Sequence, residues 1–227
     1  MRPIVLGIDT AGRVEAAVVL DRDGKSAYVS SDKPALESLL GCVTEALTRA
    51  GVTRRDIGAV AVCSGPGSFT GLRIGVAFAK SLAQAGGLPC VGVSSYDAAE
   101  AGSRALYPRA SIVEGKSGYY YMRLRSAPGA EPVLVRGESA QIREAVERLA
   151  VTTSRPVALH GVCEAAMPVR SETQAAIVSP HGKAEFGLAV ARLGLARLRE
   201  GADSDWRRVA IDYGQRPNAI INWESRR

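Results

Sequence analysis

The stretch Cys63-Ser64-Gly65-Pro66-Gly67-Ser68-Phe69-Thr70-Gly71-Leu72-Arg73-Ile74-Gly75 decides how this chain is read. It leaves an apolar run of strand character, Ile57-Gly58-Ala59-Val60-Ala61-Val62. It then enters a segment in which Ile74, Ala77, Phe78, Leu82 and Ala85 fall at helical spacing on one face. Between the two, Gly65, Gly67 and Gly71 permit backbone shapes that side chains forbid, and Pro66 stiffens the turn. Ser68 and Thr70 can cap free N–H groups at the helix start. A glycine-rich turn opening on a helix N-terminus is a general anion-binding device, because free N–H groups and the helix dipole both point at the loop. Gly65, Gly67, Ser68, Thr70 and Gly71 are therefore candidate anion ligands, against the alternative of a plain strand-to-helix connection. Neither common signature is present. A P-loop would place Lys-Ser/Thr where Leu72-Arg73 stand, and a hydrolase nucleophile elbow would place glycine where Pro66 stands.

Upstream, Ile4–Ile8 and Glu15–Leu20 read as strands joined by a turn at Ala11-Gly12-Arg13. Asp23-Gly24 is a hairpin signal leading to a third strand, Lys25–Ser30. A helix is expected from Lys33 to Ala50, with Leu36, Leu39, Leu40, Val43 and Leu47 on one face and Gly51 as its stop. After the motif come a helix over Ile74–Ala85, the stop Gly86-Gly87, a strand over Cys90–Val93, and a helix capped by Ser94 or Ser95 and running through Ala105. The second half repeats the pattern. A hairpin of Ala110–Glu114 and Tyr119–Arg125, a strand at Pro132–Arg136, a helix capped by Ser139, a strand at Val157–His160 and a helix over Lys183–Arg199 are expected. Strand-rich halves that each carry helices predict an α/β chain of two lobes, residues 1–105 and 106–227, divided where Gly102-Ser103-Arg104 and Pro108 break the pattern.

With 227 residues and 46% hydrophobic composition the chain can bury substantial cores. No apolar run reaches the roughly 18 residues of a membrane span and no leader is recognised, so a soluble, cytoplasmic protein is expected. Cys42, Cys63, Cys90 and Cys163 stand far apart without a Cys-x-x-Cys pair and read as buried thiols, while Cys63, beside the loop, is the one placed to be reactive. His160 and His181 lack the spacing of a metal pair, so no metal site is assigned. The net charge of +6 suits an acidic partner, but no basic run or aromatic RNA-binding signature accompanies it.

Eleven consecutive residues, Gly65 to Gly75, resemble the signature of the bacterial TsaB (YeaZ) family. Ile8-Asp9-Thr10 resembles that family's opening Ile-Asp-Thr-Ser, with Ala11 in place of serine, and Pro89–Ser95 resembles the strand after its motif helix. The likeness covers residues 1 to about 105 well and the remainder loosely. Glu114-Gly115-Lys116-Ser117-Gly118-Tyr119-Tyr120-Tyr121 keeps only Gly118 and Tyr121 of the family's corresponding segment, which marks a divergent member.

The resemblance implies an actin-like (ASKHA, ribonuclease H-like) two-lobed fold. It also implies a non-catalytic partner of TsaD, working with TsaE, in adding a threonylcarbamoyl group to the adenosine 3′ of the anticodon in tRNAs reading codons that begin with A. On this view tRNA is met through the complex, ATP or ADP only at the complex interface, and the isolated chain forms a homodimer. The candidate partner interface joins Leu36, Leu40, Val43 and Leu47 to a small-residue stripe, Gly75, Ala79 and Ala83, so that Ala79→Arg is expected to break pairing and spare the fold. Asp9 and Thr10 occupy the place where active actin-like enzymes orient metal and phosphate. The alternative for Asp9 is a carboxylate bonded to turn N–H groups. Arg73 is either a phosphate ligand or a loop support, linked to Asp9 or Glu15. The rival function is an active ATP-dependent small-molecule kinase, disfavoured by the single hydroxyl after Asp9. A peptidase finds no Ser/His/Asp arrangement to rest on.

Overall fold

β1 (Ile4–Asp9), β2 (Val14–Leu20) and β3 (Ser26–Ser31) form an antiparallel meander in which Asp9 stands directly opposite Glu15 and Ile4 opposite Leu20. β4 (Ile57–Gly65) and β5 (Cys90–Ser94) add in parallel to β1, giving the sheet order β3-β2-β1-β4-β5. Helices α1 (Ala35–Ala50) and α2 (Phe69–Gly86) make the crossovers. The strands are apolar on both faces, as a helix-covered sheet requires. Leu6, Ile8, Val60 and Val62 meet Leu39, Val43, Val76 and Ala79 on the side of α1 and α2. Val5, Ala17, Ala59 and Ala61 meet Leu188, Val190 and Ala191 of a late helix, α5 (Phe186–Arg199), on the other. The structure, a computed structural model, describes residues 3–20, 24–101, 106–115, 118–162, 176–178 and 185–214.

The second sheet has the order β10-β9-β6-β7-β8, from β6 (Arg109–Glu114), β7 (Tyr119–Arg125), β8 (Val133–Glu138), β9 (Val157–Gly161) and β10 (Ala176–Val178). Helix α4 (Ser139–Thr153) packs Ile142 and Val146 on Ile112, Met122 and Leu159. Its N-cap is Glu138 rather than the expected Ser139, and Glu138 donates its backbone N–H to Gln141 Oε1 at 2.9 Å. Helix α3 (Ser95–Glu100) lies between the sheets, with Tyr96 and Ala99 against Val113 and Tyr121. The helix expected to run through Ala105 ends at Glu100, where Ala101 turns extended. Residues 102–105, which hold the expected boundary Gly102–Arg104, together with Asp23, Lys116, Ser117, Cys163, His181 and the start of the helix expected from Lys183, lie outside the described residues.

The late helix returns to the first sheet, so the second half of the chain serves both sheets. Beyond α5, a segment containing a short 3₁₀ turn (Trp206–Arg208) runs back over α2, its Ser204 carbonyl accepting the Cys90 N–H (2.9 Å), and buries Val209. Among the described residues no helix is long and apolar enough to cross a membrane.

Candidate functional site

At the carboxyl ends of the parallel strands β1, β4 and β5, where open α/β sheets take ligands, the motif loop folds against the β1–β2 turn. Helix α2 begins at Phe69, five residues before the expected Ile74, because Ser68 caps it: Ser68 Oγ accepts the Gly71 N–H at 3.2 Å. The backbone N–H of Ser68 donates to Ala11 O at 2.7 Å, and Thr10 Oγ1 donates to Gly71 O at 2.7 Å. Ser95 Oγ donates to Pro66 O at 2.6 Å and lies 3.0 Å from Cys63 Sγ.

The glycines are needed for this closeness. A Cβ at Gly67 would collide with Ala11, one at Gly71 with the Thr10 carbonyl, and one at Gly75 with Thr10 Oγ1. Gly65, at φ +107°, faces the Asp212 carbonyl. Gly65, Pro66 and Gly67 are buried, and of the loop and the first turn of α2 only Phe69, Thr70 and Arg73 are exposed. The space that an anion cradle would need at Gly65, Gly67 and Gly71 is filled by this chain's own Thr10, Ala11 and Asp212. In this arrangement the glycines serve packing.

Asp9 is buried and accepts the Ala11 N–H at 3.0 Å, the turn-bonding alternative. Burial raises its carboxyl pKa. Glu15, opposite it, accepts the Gly187 N–H at the start of α5 (2.7 Å); burial, and then the neighbouring Asp9, push its pKa up to about 7. The Cys63 thiol is driven well above its ordinary value, first by burial and next by Asp9, which opposes a reactive thiolate. Cys42 and Cys90 are likewise free and buried. Among the described residues no group of three or more His, Cys, Asp or Glu is placed to hold a metal ion.

Arg73 links to neither Asp9 nor Glu15. It turns outward, donates from Nε to the Tyr213 hydroxyl at 3.2 Å, and lies 3.9 Å over the Phe69 ring. The expected interface also divides. Leu36 and Leu40 are 83% and 67% exposed, whereas Val43 and Leu47 are buried on the first sheet. The stripe of Gly75, Ala79 and Ala83 is buried too. Its small side chains let α2 approach its own sheet, so Ala79→Arg would disrupt the fold rather than spare it.

Sequence reasoning named Glu15 only as a possible partner of Arg73 and missed its place opposite Asp9, although a carboxylate opening an apolar strand was a signal. It also passed over a charged cluster at the seam between the sheets. Arg123 of β7 bridges Asp97 (2.7 Å) and Glu100 (2.8 Å) of α3, Arg109 holds Glu100 (2.8 Å), and Arg197 of α5 holds Asp97 (2.7 Å).

The sequence profile of TsaD, tRNA N6-adenosine threonylcarbamoyltransferase, matches residues 31–127. The tRNA N6-adenosine threonylcarbamoyltransferase of Rhizobium meliloti is 37% identical over 132 residues, which cover 56% of this chain and 35% of that protein. The tRNA threonylcarbamoyladenosine biosynthesis protein TsaB of Escherichia coli is 39% identical over 93 residues, 40% of each chain. The chain thus spans about two fifths or less of the length of these two curated relatives. Among solved structures, YeaZ from Pseudomonas aeruginosa superposes with a TM-score of 0.65 at 21% identity, over 93% of this chain and 99% of that one. The fold is therefore the actin-like one, with two mixed sheets and flanking helices.

Proposed function

We propose that this divergent TsaB-family chain is a non-catalytic partner of TsaD in the complex, with TsaE, that adds a threonylcarbamoyl group to the adenosine 3′ of the anticodon in tRNAs reading codons that begin with A. The observation that carries this reading is the closed motif loop. The family's eleven-residue signature is intact, but its glycines are packed against Thr10, Ala11 and Asp212, and the Ser68 and Gly71 N–H groups are bonded within the chain. A chain built this way keeps the architecture of an actin-like protein and uses its motif glycines for packing, which supports a partner role over a catalytic one. Its remaining asset is surface. Leu36 and Leu40 stand one helical turn apart on α1, largely exposed, and an aliphatic pair so placed suits the apolar centre of a protein interface.

In this reading the isolated chain pairs with itself through the same α1 surface, tRNA is reached through the complex, and ATP or ADP binds only at a shared interface. The test is co-purification with the TsaD of the same cell. A stoichiometric complex is expected, together with loss of threonylcarbamoyladenosine from tRNA when the chain is depleted. No complex, with modification unchanged, refutes the proposal. Micromolar binding of Mg-ATP with turnover by the isolated chain would favour the kinase instead.

A further inference from the structure

Residues Asp212–Gly214 cross from one sheet to the other directly over the motif loop. The Asp212 N–H donates to Ser64 O of β4 at 2.8 Å, and its Oδ1 accepts the Gly214 N–H at 2.8 Å, holding the segment in a tight turn. Tyr213 lies on the first turn of α2, with its ring 5.0 Å from that of Phe69 and its hydroxyl accepting from Arg73. Gly214 then reaches the second sheet. Arg136 of β8 donates to its carbonyl at 3.5 Å, and a Cβ there would strike the Tyr121 ring of β7. Gly115 is pressed on the same ring, so Tyr121 is held between the strap and the β6–β7 turn. Arg73 has no carboxylate partner among the described residues, and Phe69 remains 51% exposed even with Tyr213 in place. The strap is therefore anchored on the first lobe by an aromatic and cation–π contact at the surface, which water and competing groups can reach.

We propose that Asp212–Gly214 is a displaceable strap coupling the first turn of α2 to the second sheet, so that freeing Tyr213 from Phe69 and Arg73 loosens the seam at Tyr121. A protein docking at that turn with an aromatic or carboxylate side chain would take Phe69 and Arg73 from Tyr213 and transmit its arrival across the molecule. The coupling itself is a property of the isolated chain and holds or fails independently of whether TsaD is the partner.

The experiment is amide hydrogen exchange on the full chain, comparing wild type with Tyr213→Ala and with Arg73→Ala. The second variant removes the anchor from the opposite side and, as an exposed position, does not threaten folding. Three amides report. Asp212, bonded to Ser64 O, reads the strap. Gly115, bonded to Tyr119 O at 2.9 Å, reads the second sheet, and Cys90, bonded to Ser204 O, is the control within the first. Each variant is expected to speed exchange at least tenfold at Asp212 and at Gly115 while Cys90 is unchanged. A change confined to Asp212, or no change in Arg73→Ala, overturns the proposal. So does a rise that includes Cys90 in both variants, because the first sheet would then have loosened as a whole.

Discussion

At the motif loop, closure is made by atoms without charge: three glycines, a threonine hydroxyl and main-chain carbonyls brought so near that a single methyl group would not fit. At the seam between the sheets, closure is made by charge. Asp97 and Glu100 of the six-residue helix α3 are shared among Arg109, Arg123 and Arg197, which come from β6, β7 and α5. The two regions touch, since Ser95 at the start of α3 bonds Pro66 of the loop. They differ in what they tolerate. A packed neutral loop resists added volume, whereas an ion network with a buried centre at Glu100, Arg109 and Arg123 resists the removal of one member, because these charges have already lost most of their water.

The sharpest way to break the seam is Arg123→Ala. Its side chain is 10% exposed and that of Glu100 11%, so truncation leaves Glu100 in a poorly solvated place with Arg109 as its remaining arginine. A loss of about 3–5 kcal/mol is expected in denaturant unfolding. Arg123→Lys should recover only part of it, since one ammonium cannot reproduce the fork that spans Asp97 and Glu100. Full recovery by lysine would mean that charge alone matters at this position.

The next effect belongs to the buried carboxylates beside the loop. Glu15 ionises at about 7 in the folded chain against 4.5 as its ordinary value. Protonated Glu15 thus favours the folded state; its contribution is complete below pH 4.5 and is lost as pH rises to about 7. The difference corresponds to about 3 kcal/mol. Glu15→Gln, which keeps an acceptor for the Gly187 N–H, should flatten the fall in stability between those limits. An unchanged slope would place the proton elsewhere, with Asp9 the first candidate because burial raises its pKa too.

A smaller loss, about 1–3 kcal/mol, is expected for Gly71→Ala, whose methyl group would meet the Thr10 carbonyl. Thermal unfolding checks it. If the variant is as stable as wild type, the loop yields more easily than its contacts imply, and the reading of the glycines as packing residues fails.

These two regions were unequally legible. Every strand but β10 (Ala176–Val178), which the sequence reading missed, follows from runs such as Ile57–Val62 and Tyr119–Arg125, and the pairing of β6 with β7 from the glycines at 115 and 118. The start of α2 was placed late because Phe69-Thr70-Gly71 carries no apolar period, and only the Ser68 cap marks it. The glycines announced a special loop without saying what would press against them; Asp212 lies far along the chain from Gly65. The seam was unreadable for the same reason, with Asp97 and Arg197 separated by 100 residues. Arg123, alone between Met122 and Leu124 in an apolar strand, was its one local sign. Ala79 and Ala83 show a further ambiguity. Small residues at helical spacing suit an approach by the chain's own sheet as well as by a partner, and only their complete burial decides.

Leu40→Ser should have the least effect on the fold and the most to say about partners. Leu40 is 67% exposed on α1, while Val43, one turn further along, is buried. Loss of an exposed leucine leaves no cavity, so stability should change by no more than about 0.5 kcal/mol. If α1 is the surface through which the chain pairs, the same substitution removes apolar area from the centre of that contact, and a centrally buried anchor typically accounts for 1 kcal/mol or more of association, roughly a fivefold weakening at least. Sedimentation of Leu40→Ser, alone and with TsaD, against its stability in denaturant separates the two quantities. Weakened association in a chain as stable as wild type places the interface on the outer face of α1. Association that survives both Leu36→Ser and Leu40→Ser moves it to another surface, and the first turn of α2, with Phe69 and Arg73 exposed, is then the next to alter.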